Sequence, residues 1–241
     1  WGYSVPRMLG VPGRLGGDPE TKKIRPLERT IGPSSAGPGG RLEVVSMGHL
    51  VDDEGTALMW RGLMLSRAVQ HFLEDVRWGD IDYLVIDMPP GTGDVALTLV
   101  QQVPLSGAVV VTTPQPVSLV DVERGIAMFH QVNTPVLGVV ENMSGYLCPK
   151  CGTRDDLFGV GGAAHLEEAF GIPILGRIPI ERAVRVAGDA GTPLVVAQPE
   201  HPISRLYASI AEQVLESVAA ERTASKIYFA MNSVVVRMPL N

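Results

Sequence analysis

Residues 83–94, YLVIDMPPGTGD, combine an apolar run that ends in an aspartate with a turn rich in proline and glycine. The run Tyr83–Asp87 predicts a buried strand, and Asp94 suits the cap of a following helix. A carboxylate at the carboxyl end of a strand can hold hydrated Mg²⁺, and a glycine in the next turn lets a backbone N–H approach a terminal phosphate. Asp87 and Gly91 are therefore the candidate magnesium and phosphate residues. The alternative interpretation is a structural turn after a core strand.

Strands and helices alternate on either side of this stretch. Short apolar runs predict further buried strands at Leu42–Met47, Ala108–Thr112, Val136–Glu141 and Ile174–Ile178. Apolar residues at helical spacing predict helices at 59–76, 94–102, 119–131, 163–170 and 204–221. Glycine and proline crowd residues 10–40, which predicts a long irregular segment. The alternation predicts an α/β fold whose parallel sheet is flanked by helices on both faces, with ligands beyond the carboxyl ends of its strands.

The composition indicates a folded protein of neither the nucleic-acid-binding nor the membrane class. The 241 residues are 45% apolar and 19% charged, enough to bury a core. Twenty basic residues against 26 acidic residues leave a net charge of −6, without the basic excess usual in nucleic-acid binding. Asp, Pro or Gly interrupts every apolar run before it reaches about 18 residues, the length of a membrane helix. We therefore expect no nucleic-acid partner and no membrane partner.

The cysteines stand three positions apart in Cys148-Pro149-Lys150-Cys151-Gly152. Two thiolates on a tight turn can bind one metal centre, for which they supply half of the four ligands required. Because the chain contains two cysteines, a complete thiolate shell requires a second copy of the chain. An iron–sulfur cluster shared by a homodimer, an intersubunit Zn²⁺ knuckle and a redox dithiol all fit this pattern. Residues 153–158 do not predict the helix that usually accompanies a redox dithiol, and an unliganded structural pair is a further alternative.

Other polar and turn residues extend the candidate site. Asn142 and Pro179 each follow a predicted strand, where they can face an adenine base, and Arg61 opens the helix predicted at 59–76, where it can reach a phosphate. An asparagine turn and a solvated arginine are the structural alternatives. The histidines lack the spacing of a metal site, and His165 is retained as a spare metal ligand.

Several motifs follow one another along residues 1–221. They are SVPRMLG at 4–10, Trp60-Arg61-Gly62, Trp78-Gly79 with Asp82-Tyr83-Leu84, Asp87 to Asp94, Glu141-Asn142-Met143-Ser144, and Cys148 to Cys151 with Phe158-Gly159. In these motifs and their order the chain resembles Mrp-type proteins, the ApbC-like iron–sulfur cluster carrier ATPases, which are relatives of MinD with a deviant Walker motif.

The resemblance implies a MinD-like P-loop NTPase fold. It also implies an ATP-dependent carrier that binds a 4Fe–4S cluster at a homodimer interface and transfers it to apoproteins. By position in the motifs, Asp87 is the Walker B carboxylate beside Mg²⁺, Gly91 the switch glycine and Asn142 an adenine contact, while Cys148 and Cys151 are the cluster ligands. A second function class stays open, a MinD-like scaffold ATPase whose cysteines hold Zn²⁺ to lock a dimer.

One part of the family pattern is missing, because no G-x-x-x-x-G-K-[ST] loop occurs in the chain. Without the lysine and the amide cradle of that loop, we expect weak ATP hydrolysis and a fold that lacks its first strand, loop and helix. We interpret the sequence as the C-terminal portion of a longer product, or as the result of a mispredicted start. We expect a partial NTPase and cluster carrier domain at 1–221, a tail of unknown role at 222–241, and a location in the cytoplasm or an organelle matrix.

Overall fold

The computed structural model describes residues 4–33, 39–50, 62–88, 94–103 and 105–221, so the tail expected at 222–241 lies outside the described residues. The chain divides into two compact units. The first comprises 1–81, 93–102 and 182–205, and the second comprises 82–92, 103–181 and 206–241. Within the described ranges, no helix combines the length and the apolar character needed to cross a membrane.

The helices and strands follow in chain order. The helices are α1 Val5–Met8, α2 Gly62–Glu74, α3 Asp94–Gln102, α4 Pro116–Gln131, α5 Gly162–Phe170, α6 Arg182–Asp189, α7 Leu194–Ala197 and α8 Pro202–Glu221, with a 3₁₀ helix at Met47–Leu50. The strands are β1 Gly16–Gly17, β2 Ile24–Arg25, β3 Leu27–Ile31, β4 Gly40–Val44, β5 Ala108–Thr112, β6 Val136–Leu147, β7 Arg154–Asp155 and β8 Ile174–Ile180.

Strand β6 is the centre of the sheet in the second unit. It pairs in parallel with β5 and with β8, and antiparallel with the two-residue strand β7. The expectation of an all-parallel sheet therefore holds for β5, β6 and β8, and β7 makes the sheet mixed. Strand β5 has its predicted bounds, while β6 and β8 both continue beyond their predicted carboxyl ends.

Helices lie on both faces of this sheet. A buried apolar cluster joins α4 and α5 to it, formed by Val110, Leu119, Val122, Ile126, Val139, Ala163, Leu166 and Ile172. On β8, Gly176 pairs with Val140, and a side-chain carbon on Gly176 would lie 2.7 Å from Ile210 of α8. Because Val139 and Val140 are neighbours in a strand, they point to opposite faces, so α8 covers the face that α4 and α5 leave open.

Strand β6 carries a bulge where it passes the end of β8. Asn142 pairs with Ile178, and the next registered pair is Tyr146 with Ile180, so the extra residues of β6 stand opposite Pro179. A bulge of this kind leaves residues outside the regular ladder and bends the strand.

The bulge explains why β6 is longer than the sequence predicts. Met143 (φ +55°) and Gly145 (φ +132°) take backbone conformations in the bulge that differ from those of a regular strand. The apolar run stops at Glu141, so the predicted strand end at that residue is wrong, and the strand continues to Leu147.

The first unit contains two short antiparallel hairpins, β1 with β2 and β3 with β4, and a packed pair of helices, α2 and α3. The strand predicted at Leu42–Met47 is wrong in bounds and in partner, because β4 ends at Val44 and Met47 begins the 3₁₀ helix. The segment 10–40 is likewise less irregular than expected, since its described part holds β1, β2 and β3.

A buried carboxylate holds the turn between β1 and β2. Asp18 accepts the backbone N–H groups of Glu20 and Thr21, each at 3.0 Å. It also accepts the guanidinium groups of Arg25 at 2.8 Å and Arg77 at 3.3 Å. The Thr21 N–H and the Arg25 guanidinium are the main reasons that the pKa of Asp18 lies well below its usual range. The carboxylate therefore fastens this turn to the residues that follow α2.

The strand predicted at Tyr83–Asp87 is wrong for the described residues. Leu84 alone forms a bridge in this segment, and the Val85 side chain is 57% exposed. An apolar run becomes a strand when neighbouring strands complete its hydrogen bonds, and the sheet formed by β5, β6, β7 and β8 does not include this segment.

The helix predictions agree more closely with the structure. Helix α3 has its predicted bounds, although Asp94 is its first residue and lies one position after the expected cap. Helices α4, α5 and α8 begin within three residues of their predicted starts. Helix α2 ends at Glu74, two residues before the end of the helix predicted at 59–76, because Val76 forms a β-bridge with Ile24. Helix α6 is not predicted by the periodicity.

Candidate functional site

The two cysteines lie at the tip of the hairpin formed by β6 and β7. The N–H of Cys148 donates to the carbonyl of Thr153 at 2.9 Å, and the N–H of Gly152 donates to the carbonyl of Cys148 at 2.8 Å. Gly152 has φ +70°, a left-handed conformation that glycine adopts without strain. These contacts close a tight turn that carries Cys148 and Cys151 together.

The two thiols stand on the same turn and differ in environment. Cys148 is half-buried and Cys151 is exposed. The Sγ of Cys151 lies 3.3 Å from the Oγ1 of Thr153. The Thr153 hydroxyl, followed by the Thr153 backbone N–H and the Cys148 thiol, lowers the pKa of the Cys151 thiol below its ordinary value. These contacts therefore favour the thiolate of Cys151, and the thiolate is the form of cysteine that binds metals.

The donor set of the turn suits a soft metal centre. Thiolates are the usual ligands of iron–sulfur clusters and of structural zinc, each of which takes four ligands. Among the residues that the structure describes, no three or more His, Cys, Asp or Glu side chains are grouped so as to hold a metal ion. The turn of one chain therefore offers two of the four ligands.

His165 is engaged elsewhere. Its Nε2 lies 2.9 Å from the Oε1 of Glu123, which joins the exposed faces of α5 and α4. Among the described residues, His165 is not grouped with the two cysteines as a three-residue metal site. Its role as a spare metal ligand stays a prediction.

Exposed apolar side chains flank the cysteine turn along the chain. Leu147 directly precedes Cys148 and is 62% exposed, and Leu157, Phe158 and Val160, which follow β7, are exposed as well. Exposed apolar side chains that form a contiguous patch are typical of a protein interaction surface.

Asn142 and Pro179 lie on neighbouring strands at the carboxyl end of the parallel pair β6 and β8. Both are half-buried, and the Oδ1 of Asn142 accepts the N–H of Met143 at 3.0 Å. The carboxyl ends of parallel strands are where α/β sheets bind ligands. The structure thus brings together the two residues that the sequence assigns to an adenine base, and the contact with adenine stays a prediction.

The three residues predicted to bind Mg²⁺ and phosphate lie at the end of a described range or outside the described residues. Asp87 is half-buried near the end of the described range 62–88. Gly91 and Arg61 lie outside the described residues. The roles assigned to these three residues toward Mg²⁺ and phosphate stay predictions.

Sequence reasoning missed two contacts that position the site. The carboxylate of Glu141 is 3% exposed, accepts the N–H of Ala163 in the first turn of α5 at 2.7 Å, and lies 3.6 Å from the Nε of Arg177. Arg154 on β7 donates from Nη2 to the carbonyl of Ser144 in the bulge at 2.6 Å. A glutamate at the end of an apolar strand is a sequence signal for the first contact. The second depends on the bulge and has no local signal.

Comparison with known proteins supplies the family context. A family model described as NUBPL iron-transfer P-loop NTPase matches residues 1–215. An iron-sulfur cluster carrier protein of Escherichia coli is 43% identical over 214 residues, which are 89% of this chain and 55% of the relative. The iron-sulfur cluster transfer protein NUBPL of Mus musculus is 41% identical over 215 residues, which are 89% of this chain and 64% of the relative. The chain therefore spans little more than half the length of such curated relatives.

Solved structures share the fold. A nucleotide-binding protein of Archaeoglobus fulgidus in complex with ADP is 35% identical, with a TM-score of 0.62 over 83% of this chain and 72% of that chain. The MinC:MinD cell division protein complex of Aquifex aeolicus is 18% identical, with a TM-score of 0.53 over 89% of this chain and 79% of that chain. The predicted fold class, an α/β P-loop NTPase fold of the MinD type, is confirmed.

Proposed function

The chain belongs to the family of NUBPL iron-transfer P-loop NTPases, and from this premise we propose that it acts as an iron–sulfur cluster carrier. The observation that carries the proposal is the paired, partly exposed thiols of Cys148 and Cys151 on one tight turn. The relatives named as iron–sulfur cluster carrier and transfer proteins support the same role. The cluster is cargo, and the turn is the place where it is held.

We propose further that the cargo is a 4Fe–4S cluster shared by a homodimer. Such a cluster takes four cysteine thiolates, and one chain contains two. Two copies of the turn, related by a twofold axis, complete the shell without any other ligand. The exposed apolar side chains beside the turn, Leu147 and Phe158 among them, then provide contact area between the copies or with an acceptor.

The nucleotide part of the proposal concerns the carboxyl ends of the parallel strands. Asn142 and Pro179 are assigned to the adenine base, Asp87 to Mg²⁺, and Gly91 and Arg61 to the phosphates of ATP. The ADP bound by the Archaeoglobus fulgidus relative supports a nucleotide in this fold. Because no G-x-x-x-x-G-K-[ST] loop is present in the chain, we expect a polypeptide of residues 1–241 to hydrolyse ATP weakly.

Transfer of the cargo requires that an acceptor reach the ligands. The Cys148–Cys151 turn is a surface hairpin, so an apo acceptor protein can approach the cluster without unfolding the carrier. The chemistry is exchange of thiolate ligands, for which a surface turn is better suited than a core site. A compartment in which thiols stay reduced, the cytoplasm or an organelle matrix, suits free cysteines of this kind.

Anaerobic reconstitution with iron and sulfide tests the cargo. We expect about four irons and four sulfides per dimer, with the visible absorbance of thiolate-ligated iron. Cys148→Ser is expected to lose this signal. The matched control is His165→Ala, which removes an exposed side chain paired with Glu123 and should bind the cluster as the unaltered protein does. An unchanged signal in Cys148→Ser would refute the site.

The form of the cysteine turn favours a second candidate function. Cys-Pro-x-Cys-Gly, closed by the Gly152 N–H to Cys148 carbonyl hydrogen bond, is also a common zinc knuckle. In that case the protein is a MinD-like scaffold ATPase whose dimer is locked by Zn²⁺. Metal analysis of protein purified without oxygen separates the two functions, because iron with acid-labile sulfide supports the carrier and stoichiometric zinc supports the scaffold.

A further inference from the structure

The backbone of Cys148 is fixed on both sides by hydrogen bonds. Its N–H and carbonyl bond to Thr153 and Gly152 across the hairpin. The residue pair just before it, Leu147 and Arg154, belongs to the β6–β7 ladder. The Cys148 side chain is also half-buried, so both its backbone and its surroundings restrict its movement more than those of an exposed residue.

The Arg154 side chain strengthens this anchoring. Its guanidinium donates to the carbonyl of Ser144 at 2.6 Å and to the carboxylate of Asp156 at 2.7 Å. Gly145, which follows Ser144, has φ +132°, a backbone conformation that residues with a side chain rarely adopt. The base of the hairpin is therefore tied to the sheet on the side from which Cys148 extends.

Cys151 is held differently. It is exposed, it follows two exposed residues at the tip, Pro149 and Lys150, and it stands outside the ladder. The Oγ1 of Thr153 lies 3.3 Å from its sulfur. A threonine hydroxyl can rotate to donate its hydrogen, so it can bond a thiolate at this position.

From this asymmetry we propose that Cys151 is the ligand that leaves first when the cargo is passed on, and that Thr153 stabilises the departing thiolate. In the step, a thiolate of the acceptor forms a bond to the iron that Cys151 ligates. The bond between that iron and Cys151 breaks, and its electron pair stays on the Cys151 sulfur. One thiolate replaces another, so no electron or proton is transferred. The Thr153 hydroxyl then donates to the freed thiolate, a charge-assisted hydrogen bond.

The inference rests on the proposed cargo site, and a partial-release experiment tests it. Loaded protein is mixed with a ferrous iron chelator, quenched at intervals with excess fast-reacting maleimide, and mapped by peptide mass spectrometry. Among polypeptides that carry one label, we expect the label on Cys151 at least about tenfold more often than on Cys148. This ratio corresponds to the net free energy that a hydrogen bond to a charged group contributes. Metal-free protein is the control, in which the reagent must label both thiols fully within the quench time. An even distribution, or an excess on Cys148, would overturn the order.

Two substitutions test the hydroxyl. Thr153→Val keeps the backbone hydrogen bond to Cys148 and removes the donor, so we expect release to slow by about tenfold. Thr153→Ser keeps the donor and should release at the original rate. If Thr153→Val releases as fast as the unaltered protein, the hydroxyl has no part in the step. Thr153 is exposed, so circular dichroism is expected to show the same fold in all three proteins.

The same measurement with Zn²⁺ as the bound metal and EDTA as the chelator separates this inference from the carrier function. The order of release requires a metal held by both thiolates, and it does not require iron. Failure to assemble a cluster would contradict the carrier proposal and leave the order measurable with zinc. Release of Cys148 first in the zinc protein would contradict the order, whatever the natural cargo is.

Discussion

Strand β6 has two halves with opposite surroundings. Its inner half, Leu137–Glu141, is fully buried between β5 and β8 and beneath helices. Its outer half begins at the bulge, exposes Met143 and Leu147, and pairs mainly with the two-residue strand β7. Apolar packing stabilises the inner half, while the outer half is ordered by a few polar contacts. The same strand therefore forms part of the core and, a few residues later, leads into the turn that carries Cys148 and Cys151 at the surface.

The largest effect on the free energy of unfolding is expected from a substitution that tests whether apolar packing is confined to the inner half of β6. Ile126 of α4 is 0% exposed and lies in the cluster that covers β6. Ile126→Ala is expected to lower the free energy of unfolding by about 2–5 kcal/mol, because it leaves a cavity. Leu147→Ala, in the exposed half, is expected to change it by less than about 0.5 kcal/mol. Urea denaturation measures both, and equal losses would contradict the division of β6 into two halves.

A smaller effect is expected at the boundary between the halves. Glu141 caps α5 through the Ala163 N–H, and its removal leaves that buried donor without its acceptor. Glu141→Ala is expected to cost about 1–3 kcal/mol of unfolding free energy, and Glu141→Gln less, because the amide keeps an acceptor oxygen. Hydrogen exchange at the first amides of α5 should accelerate in Glu141→Ala. Glu123→Gln, on an exposed glutamate, is the control, and the absence of any difference between the two positions would refute the capping role.

The smallest effect on the free energy of unfolding at neutral pH is expected at His49. This buried polar side chain lies in the first unit and can be compared with the buried half of β6. Its Nε2 donates to the carbonyl of Val11 at 3.0 Å, and its Nδ1 accepts the N–H of Ser46 at 3.2 Å. Burial lowers the pKa of His49 from its ordinary value of 6.5. The folded state therefore favours the neutral ring, and stability falls as the pH drops from about 6.5 through the folded pKa, since the unfolded chain binds the proton first. At pH values well above 6.5, His49 is neutral in both states and does not make the stability depend on pH.

The His49 prediction is checked by measuring the urea midpoint between pH 7.5 and pH 5. This range extends about one unit or more on each side of the ordinary histidine pKa. The unaltered protein should lose stability toward the acid end, and His49→Gln should show a shallower slope. His165→Gln, at an exposed histidine, is the control for the same substitution at the surface. If the urea midpoint of His49→Gln changes with pH as that of the unaltered protein does, other groups cause the loss of stability.

Sequence reasoning succeeded where a segment's own residues decide its conformation. Helix α3 has its predicted bounds, and the thiol pair was located by its spacing. It failed where hydrogen-bond partners come from elsewhere in the chain. Tyr83–Asp87 is apolar and yet forms no strand, and β6 continues past its apolar run because β7 and a bulge support it. The segment 42–47 failed for the same reason, since its partner is the antiparallel strand β3.

The family follows from motifs that stand in order along the chain, and the count of two thiols against four ligand positions predicts a second copy. Folding was needed to show that Asn142 lies beside the strand that holds Pro179, that Arg154 reaches the bulge, and that Cys151 is more exposed than Cys148. The physical reason is that composition and spacing act along the chain. Strand register, burial and hydrogen-bond partners are set between segments that meet only after folding.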